Sequence, residues 1–148
     1  MKRFVLAILT LVFLSTNALF AKENIQIMVF SKIGEGAYTH KSIAKGIEFI
    51  KSIGKEQQWT VDVSYDGADF NAINLSQYDV VVFLNTTGDV LNDDQQNAFE
   101  NFIGSGGGFV GTHSASDTEY NWPWYGGLVG AYFKNHPKGT PTAKVIME

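Results

Sequence analysis

The sequence has 148 residues and no cysteine. That excludes a disulfide framework, a thiolate metal site and a cysteine nucleophile. Basic residues are few and unclustered: 11 Lys and Arg stand against 15 Asp and Glu, for a net charge of −4. Phosphate backbones are bound by concentrated Lys and Arg, so nucleic acid is not an expected partner. No apolar run reaches the roughly 20 residues that a membrane span needs. Internal repeats and low-complexity tracts are also lacking. What remains is a chain that is 45% hydrophobic and 14% aromatic. That is too apolar for disorder and about the size of one domain.

The first segment reads as an address. Met1-Lys2-Arg3 is basic, Phe4 to Leu14 is apolar except for Thr10, and Ser15 to Ala18 turns small and polar. This order is that of a secretory signal peptide, assigned to residues 1–21. Cleavage after Ala18 or after Ala21 fits equally, and without cysteine there is no lipid attachment point. The alternative is a buried N-terminal strand or helix, since a short apolar run does not declare its own period. Cleavage leaves 9 Lys and Arg against 15 Asp and Glu, a net −6. The expected product is exported, periplasmic or extracellular, with no membrane contact afterwards. Its oligomeric state is left open.

Along the rest, residues 22–148, strand and helix signals alternate. Ile25 to Phe30 is a nearly continuous apolar strand. A loop with Gly34 and Gly36 follows, then a helix over roughly His40 to Ile53, with Ile43, Ile47, Ile50 and Ile53 on one face and Gly54 at its end. Trp59 to Tyr65 alternates strictly, which predicts an edge strand with one wet face. Val80 to Leu84 does not alternate and reads as a central strand. Asn92 and Gln95 have capping-box spacing ahead of a helix whose stripe is Ala98, Phe99, Phe102 and Ile103 and which ends at Gly104. Phe109 to Thr112 is a fourth strand, expected inside the sheet. Pro123 suits a first helical turn in Asn121 to Gly130. Ala143 to Met147 reads as the start of a fifth strand.

The class is therefore α/β, a doubly wound parallel sheet with flavodoxin-like strand order 2-1-3-4-5. Ligands in such sheets bind beyond the carboxyl ends of the strands. Those ends carry Gly34 to His40, then Asn85 to Asp89, then His113 to Glu119, and His136 precedes the fifth strand. All three histidines of the chain thus fall in or beside strand-exit loops.

Two glycine patterns carry little weight. Gly34-Glu35-Gly36 lacks the third glycine of a dinucleotide fingerprint, Thr39 standing in its place. Gly106 to Gly108 leads into a strand, whereas a phosphate loop leads into a helix N-terminus.

From Gly106-Gly107-Gly108-Phe109-Val110-Gly111-Thr112-His113-Ser114-Ala115, through Asp117-Thr118-Glu119-Tyr120 and Trp122-Pro123-Trp124-Tyr125, to Gly130-Ala131-Tyr132-Phe133 and His136-Pro137, the chain resembles the ThuA-like family. The resemblance runs from about Ile25 to the end. It implies the class I glutamine amidotransferase-like fold and a carbohydrate setting, the family being named for trehalose utilisation. It also implies that His113 occupies the position where amidotransferases carry their nucleophilic cysteine. An imidazole cannot form their thioester, so glutamine hydrolysis of that kind is excluded. Family domains continue beyond the point where this sequence stops, so the chain is expected to hold an N-terminal portion, incomplete at the C-terminus.

The candidate catalytic residues are His113, Asp117 and Glu119. An imidazole in a cleft serves as general acid or base near neutral pH, or as a metal ligand, and the carboxylates orient or join it. The plainer alternative is that His113 only shapes its loop. Candidate substrate contacts are His40, Asn85, Trp122 and Trp124. His40 either closes on the cleft or faces water from a helical first turn. The two tryptophans offer flat faces for a sugar, or else simply bury area. No cofactor is evident. A zinc ion would suit His40, His113 and His136 with an open fourth position, although no H-x-x-x-H spacing exists. Two functions compete: an exported protein of disaccharide or oxidised-glycoside catabolism with hydrolytic or acid/base chemistry at His113, and a non-catalytic carbohydrate-binding or accessory domain.

Overall fold

β-Branched and aromatic runs build the sheet. In the computed structural model the strands are β1 (Gln26–Phe30), β2 (Thr60–Ser64), β3 (Val80–Leu84) and β4 (Gly108–Thr112). All neighbours are parallel, in the order β2-β1-β3-β4. The structure describes residues 24–139 with Thr142, Lys144 and Ile146. The expected signal peptide lies outside the described residues. So does the expected fifth strand apart from Lys144 and Ile146, which belong to no strand.

The pleat divides the core in two. Ile27, Val29, Val82 and Leu84 point to one face, where Ile47 and Ile50 of helix α1 (Ile43–Gln57) pack against them. Met28, Phe30, Val81 and Phe83 point to the other, against helices α2 (Ala72–Leu75), α3 (Asp93–Gly104) and α4 (Pro123–Val129). Strands apolar on both faces are buried on both faces, hence the unbroken run at 80–84. Phe99 is central to the second layer, its ring 5.4 Å from that of Phe83 and stacked on it. Burial of such a ring contributes on the order of 2–3 kcal/mol. Among the described residues, no helix is long and apolar enough to cross a membrane.

Three local expectations shift. Helix α1 starts at Ile43, which leaves His40 in the preceding loop. It also runs past Gly54, and Gln58 supplies the left-handed cap at φ 61°. Gly54 is a close-approach residue instead: a Cβ there would lie 2.5 Å from Val61 Cγ2, so glycine lets helix and strand touch. Strand β4 borders the described sheet rather than lying inside it, and Val110 is 46% exposed.

The strand-exit loops continue the sheet sideways. Parallel bridges join Ile33 to Thr87 and Gly88 to Thr118. Gly34 N–H donates to Thr87 O, and Gly88 N–H donates to Asp117 O. The strongest tie is a carboxylate. Glu119, 2% exposed, accepts from the N–H groups of Val90 and Leu91 on Oε1, both at 2.7 Å, and from Gln96 Nε2 on Oε2 at 2.8 Å. This corrects its assignment as a catalytic carboxylate. Both oxygens are spent on fastening the β4 exit to the loop ahead of α3.

Burial pushes the Glu119 carboxyl above its ordinary value of 4.5, and nearby Asp89 pushes the same way, against the three hydrogen bonds. A raised acid holds its proton better folded than unfolded. Its contribution to stability is therefore full below the ordinary value and declines as pH rises through the raised one. Glu119→Ala leaves the Val90 and Leu91 N–H groups without their acceptor and is expected to cost about 2–4 kcal/mol in urea denaturation. Glu119→Gln keeps a carbonyl acceptor, should cost less, and should lose that pH slope.

Candidate functional site

The site begins with a turn that the backbone resists. β4 ends at Thr112, and the chain reverses into a 3-10 segment, His113–Asp117, with His113 at φ 49°. Left-handed backbone at a residue with a Cβ costs about 1–2 kcal/mol and persists only where the surroundings enforce it. Here the enforcement is the pairing of β4 with β3 on one side and the Glu119 tie on the other. The turn leaves the imidazole exposed at the strand exit.

His40 meets it from the β1 exit. The two imidazoles stand edge to face, with centroids 4.5 Å apart at 80°, and Tyr38 stands against His40 in the same manner at 4.9 Å. Burial, then the neighbouring His113, holds His40 below its ordinary 6.5, while Asp117 pulls the other way. The Asp117 carboxylate faces the Tyr120 hydroxyl, 2.6 Å from its Oδ1. Burial, and then this contact, push the phenol up to about 12.

His40, His113 and Asp117 line one cavity of about 630 Å³. Ser114 and Ser116 also line it, and the segment with Phe133 and His136 forms its far wall. Phe133 is held there by its N–H to Ser116 O and by Tyr120 Oη, 2.7 Å from its carbonyl. A second hollow, about 590 Å³, opens on the other side of His40 beside Lys32, Lys41 and Tyr65. A third, about 420 Å³, sits at the opposite end of the sheet near Asp79 and Gly107, away from every strand exit.

Of the residues singled out from sequence, His40, His113, Asp117 and His136 come together here. Three others do not, besides Glu119. Asn85 is buried at φ 53°, its amide spent on Ser42 Oγ and Thr112 Oγ1, so it braces α1 against β3 and β4 rather than facing the cavity. Trp122 is 6% exposed, its indole N–H donating to Glu100 and its ring stacked on Tyr125. Trp124 is half-buried against the same cluster, stacked on Trp122 at 5.2 Å. Both tryptophans belong to the core under α4, because a run of three aromatic residues around one proline has nowhere else to bury its area. Sequence reading passed over Tyr38 and Phe133 as site residues. Tyr38 carried a signal, being a lone aromatic in a glycine-rich strand exit. Among the described residues, no three His, Cys, Asp or Glu side chains gather into a metal-ligand set. The three histidines share a cavity wall without converging on a point.

A parallel α/β sheet with its titratable cluster at the carboxyl ends of the strands defines a flavodoxin-like protein with a strand-exit site. Within that class the chain belongs to the ThuA family, described as trehalose utilisation, whose family model matches residues 26–148. A solved ThuA-like protein from Bacteroides uniformis is similar in fold, with a TM-score of 0.61 at 24% identity over 82% of this chain and 51% of that one. The chain therefore spans about half the length of that structure. None of the curated proteins matches it.

The imidazole pair gives a direct measurement. In an NMR titration His40 should protonate below its ordinary 6.5. His113→Ala should move that midpoint up by removing a neighbouring positive charge, and Asp117→Asn should move it further down.

Proposed function

We propose that the protein takes part in carbohydrate catabolism as an exported enzyme whose proton transfers are centred on His113. Family membership supports the carbohydrate setting. The observation that carries the chemistry is His113 itself: an exposed imidazole on a strained strand-exit turn, set against a second imidazole on the wall of a cavity of small-ligand size. Export rests on the basic-apolar-polar order of residues 1–21.

A saccharide offers weakly acidic hydroxyls and, at a glycosidic bond, a leaving oxygen that needs a proton. Neutral His113 takes a proton from a substrate hydroxyl or an attacking water. The resulting imidazolium returns it to the departing oxygen, so the histidine ends as it began. Asp117 stabilises the cationic interval, and burial of His40 lowers its proton affinity, which limits a competing charge beside His113. The substrate is a disaccharide or an oxidised glycoside. The competing function is a carbohydrate-binding or accessory domain without turnover.

Purified protein assayed on disaccharides and their oxidised glycosides, with and without added zinc, separates the two. His113→Ala should lower turnover about 10²–10⁴-fold, with circular dichroism unchanged. Saccharide binding in the complete absence of turnover would favour the accessory role.

A further inference from the structure

We infer that Tyr38 and Phe133 are the platform of the cavity, and that they select a neutral pyranose unit laid with its C–H face on the rings. This deepens the carbohydrate reading above and rests on it. Both rings line the cavity that holds His113, and both are left open, Tyr38 64% and Phe133 38% exposed. Large apolar faces left bare in a cavity wall mark a surface meant to be covered.

Neither ring hangs on a free segment. Tyr38 stands edge-on to His40, directly after a turn closed by the Ala37 N–H to Gly34 O bond. Phe133 is fixed through both its backbone N–H and its carbonyl. A ring held in place loses little entropy when a ligand arrives.

Charge narrows the ligand class. Among the described residues no Lys or Arg lines this cavity, and Lys32 and Lys41 border the separate hollow across His40. Asp117, the one carboxylate among the described lining residues, disfavours an anion. For the rim of a neutral sugar the wall offers the half-buried Ser116 hydroxyl instead. Ser116 Oγ donates to His113 O and keeps its lone pairs. A flat apolar face with a polar rim is a property of the closed ring, and an open-chain polyol lacks it.

Saturation-transfer NMR on the intact protein tests this with methyl β-D-glucopyranoside, glucitol and glucose 6-phosphate as probes. The pyranoside should bind, with saturation concentrated on the axial protons of one face. Tyr38→Ala and Phe133→Ala should each weaken it about tenfold, the scale of one lost aromatic contact. Tyr38→Phe should retain it. Phe49→Ala, an exposed ring on α1, should leave it unchanged. In the unaltered protein the Tyr38 and Phe133 ring protons should shift on titration, which decides the matter even if an alanine variant fails to fold. Pyranoside binding that survives both alanine variants, or rings that do not move, would overturn the platform and leave the carbohydrate reading standing. Tighter binding of glucitol or of the phosphate would overturn the ligand class. A wild-type protein that binds no saccharide would bring down both readings together.

Discussion

A buried carboxylate fastens the loops that carry the candidate site, its oxygens turned to donors in the fold rather than to the cavity. Glu119 has both oxygens occupied, by Val90, Leu91 and Gln96. Backbone bridges already join the exits of β1, β3 and β4 into one layer above the sheet. The carboxylate adds a second tie, from the β4 exit to the loop ahead of α3. Burial of the carboxyl opposes its ionised form, and three hydrogen bonds offset much of that penalty. An interaction of this kind adds little net stability; its value is that few other loop arrangements satisfy the same donors.

The same layer holds unfavourable backbone. Among the described residues, three of the four non-glycine residues in the left-handed region are Asn85, His113 and Glu119, at adjacent strand exits. Each is held by a different device: Asn85 by its amide bonds to Ser42 and Thr112, His113 by strand pairing, and Glu119 by its carboxylate. Strain collected where ligands bind is a form of pre-organisation. It aims one imidazole outward beside another whose proton affinity burial lowers.

The sequence made some of this legible. The unbroken apolar run at 80–84 and the alternation at 59–65 reported how many faces each strand buries, so the central and edge positions followed. The capping box at Asn92 and Gln95 forms as its spacing implied, each side chain bonding the other's backbone. The rule that ligands sit beyond strand ends brought His40, His113, Asp117 and His136 to one cavity wall. What failed did so for a shared reason. Glu119, Asn85 and the tryptophans were judged by chemical capacity, but a side chain's role depends on which neighbours claim its polar atoms or its area. Glu119 and Asn85 are claimed by backbone and side-chain partners far off in sequence, and Trp122 by Glu100 and the α4 core. Gly54 misled similarly. Glycine within a helix signals termination locally, and only the tertiary approach of Val61 explains its presence mid-helix.

The turn at position 113 also acts as a filter on mutation. At φ 49° a β-branched side chain is barred by sterics, and bulky aliphatic ones are disfavoured. Glycine, asparagine, aspartate and histidine are the residues such a backbone accepts most readily, and only the last two of these titrate. Drift at this elbow is thus confined to a short menu set by geometry alone. A lineage that lost the imidazole here would more readily acquire a carboxylate or an inert turn than any other reactive group.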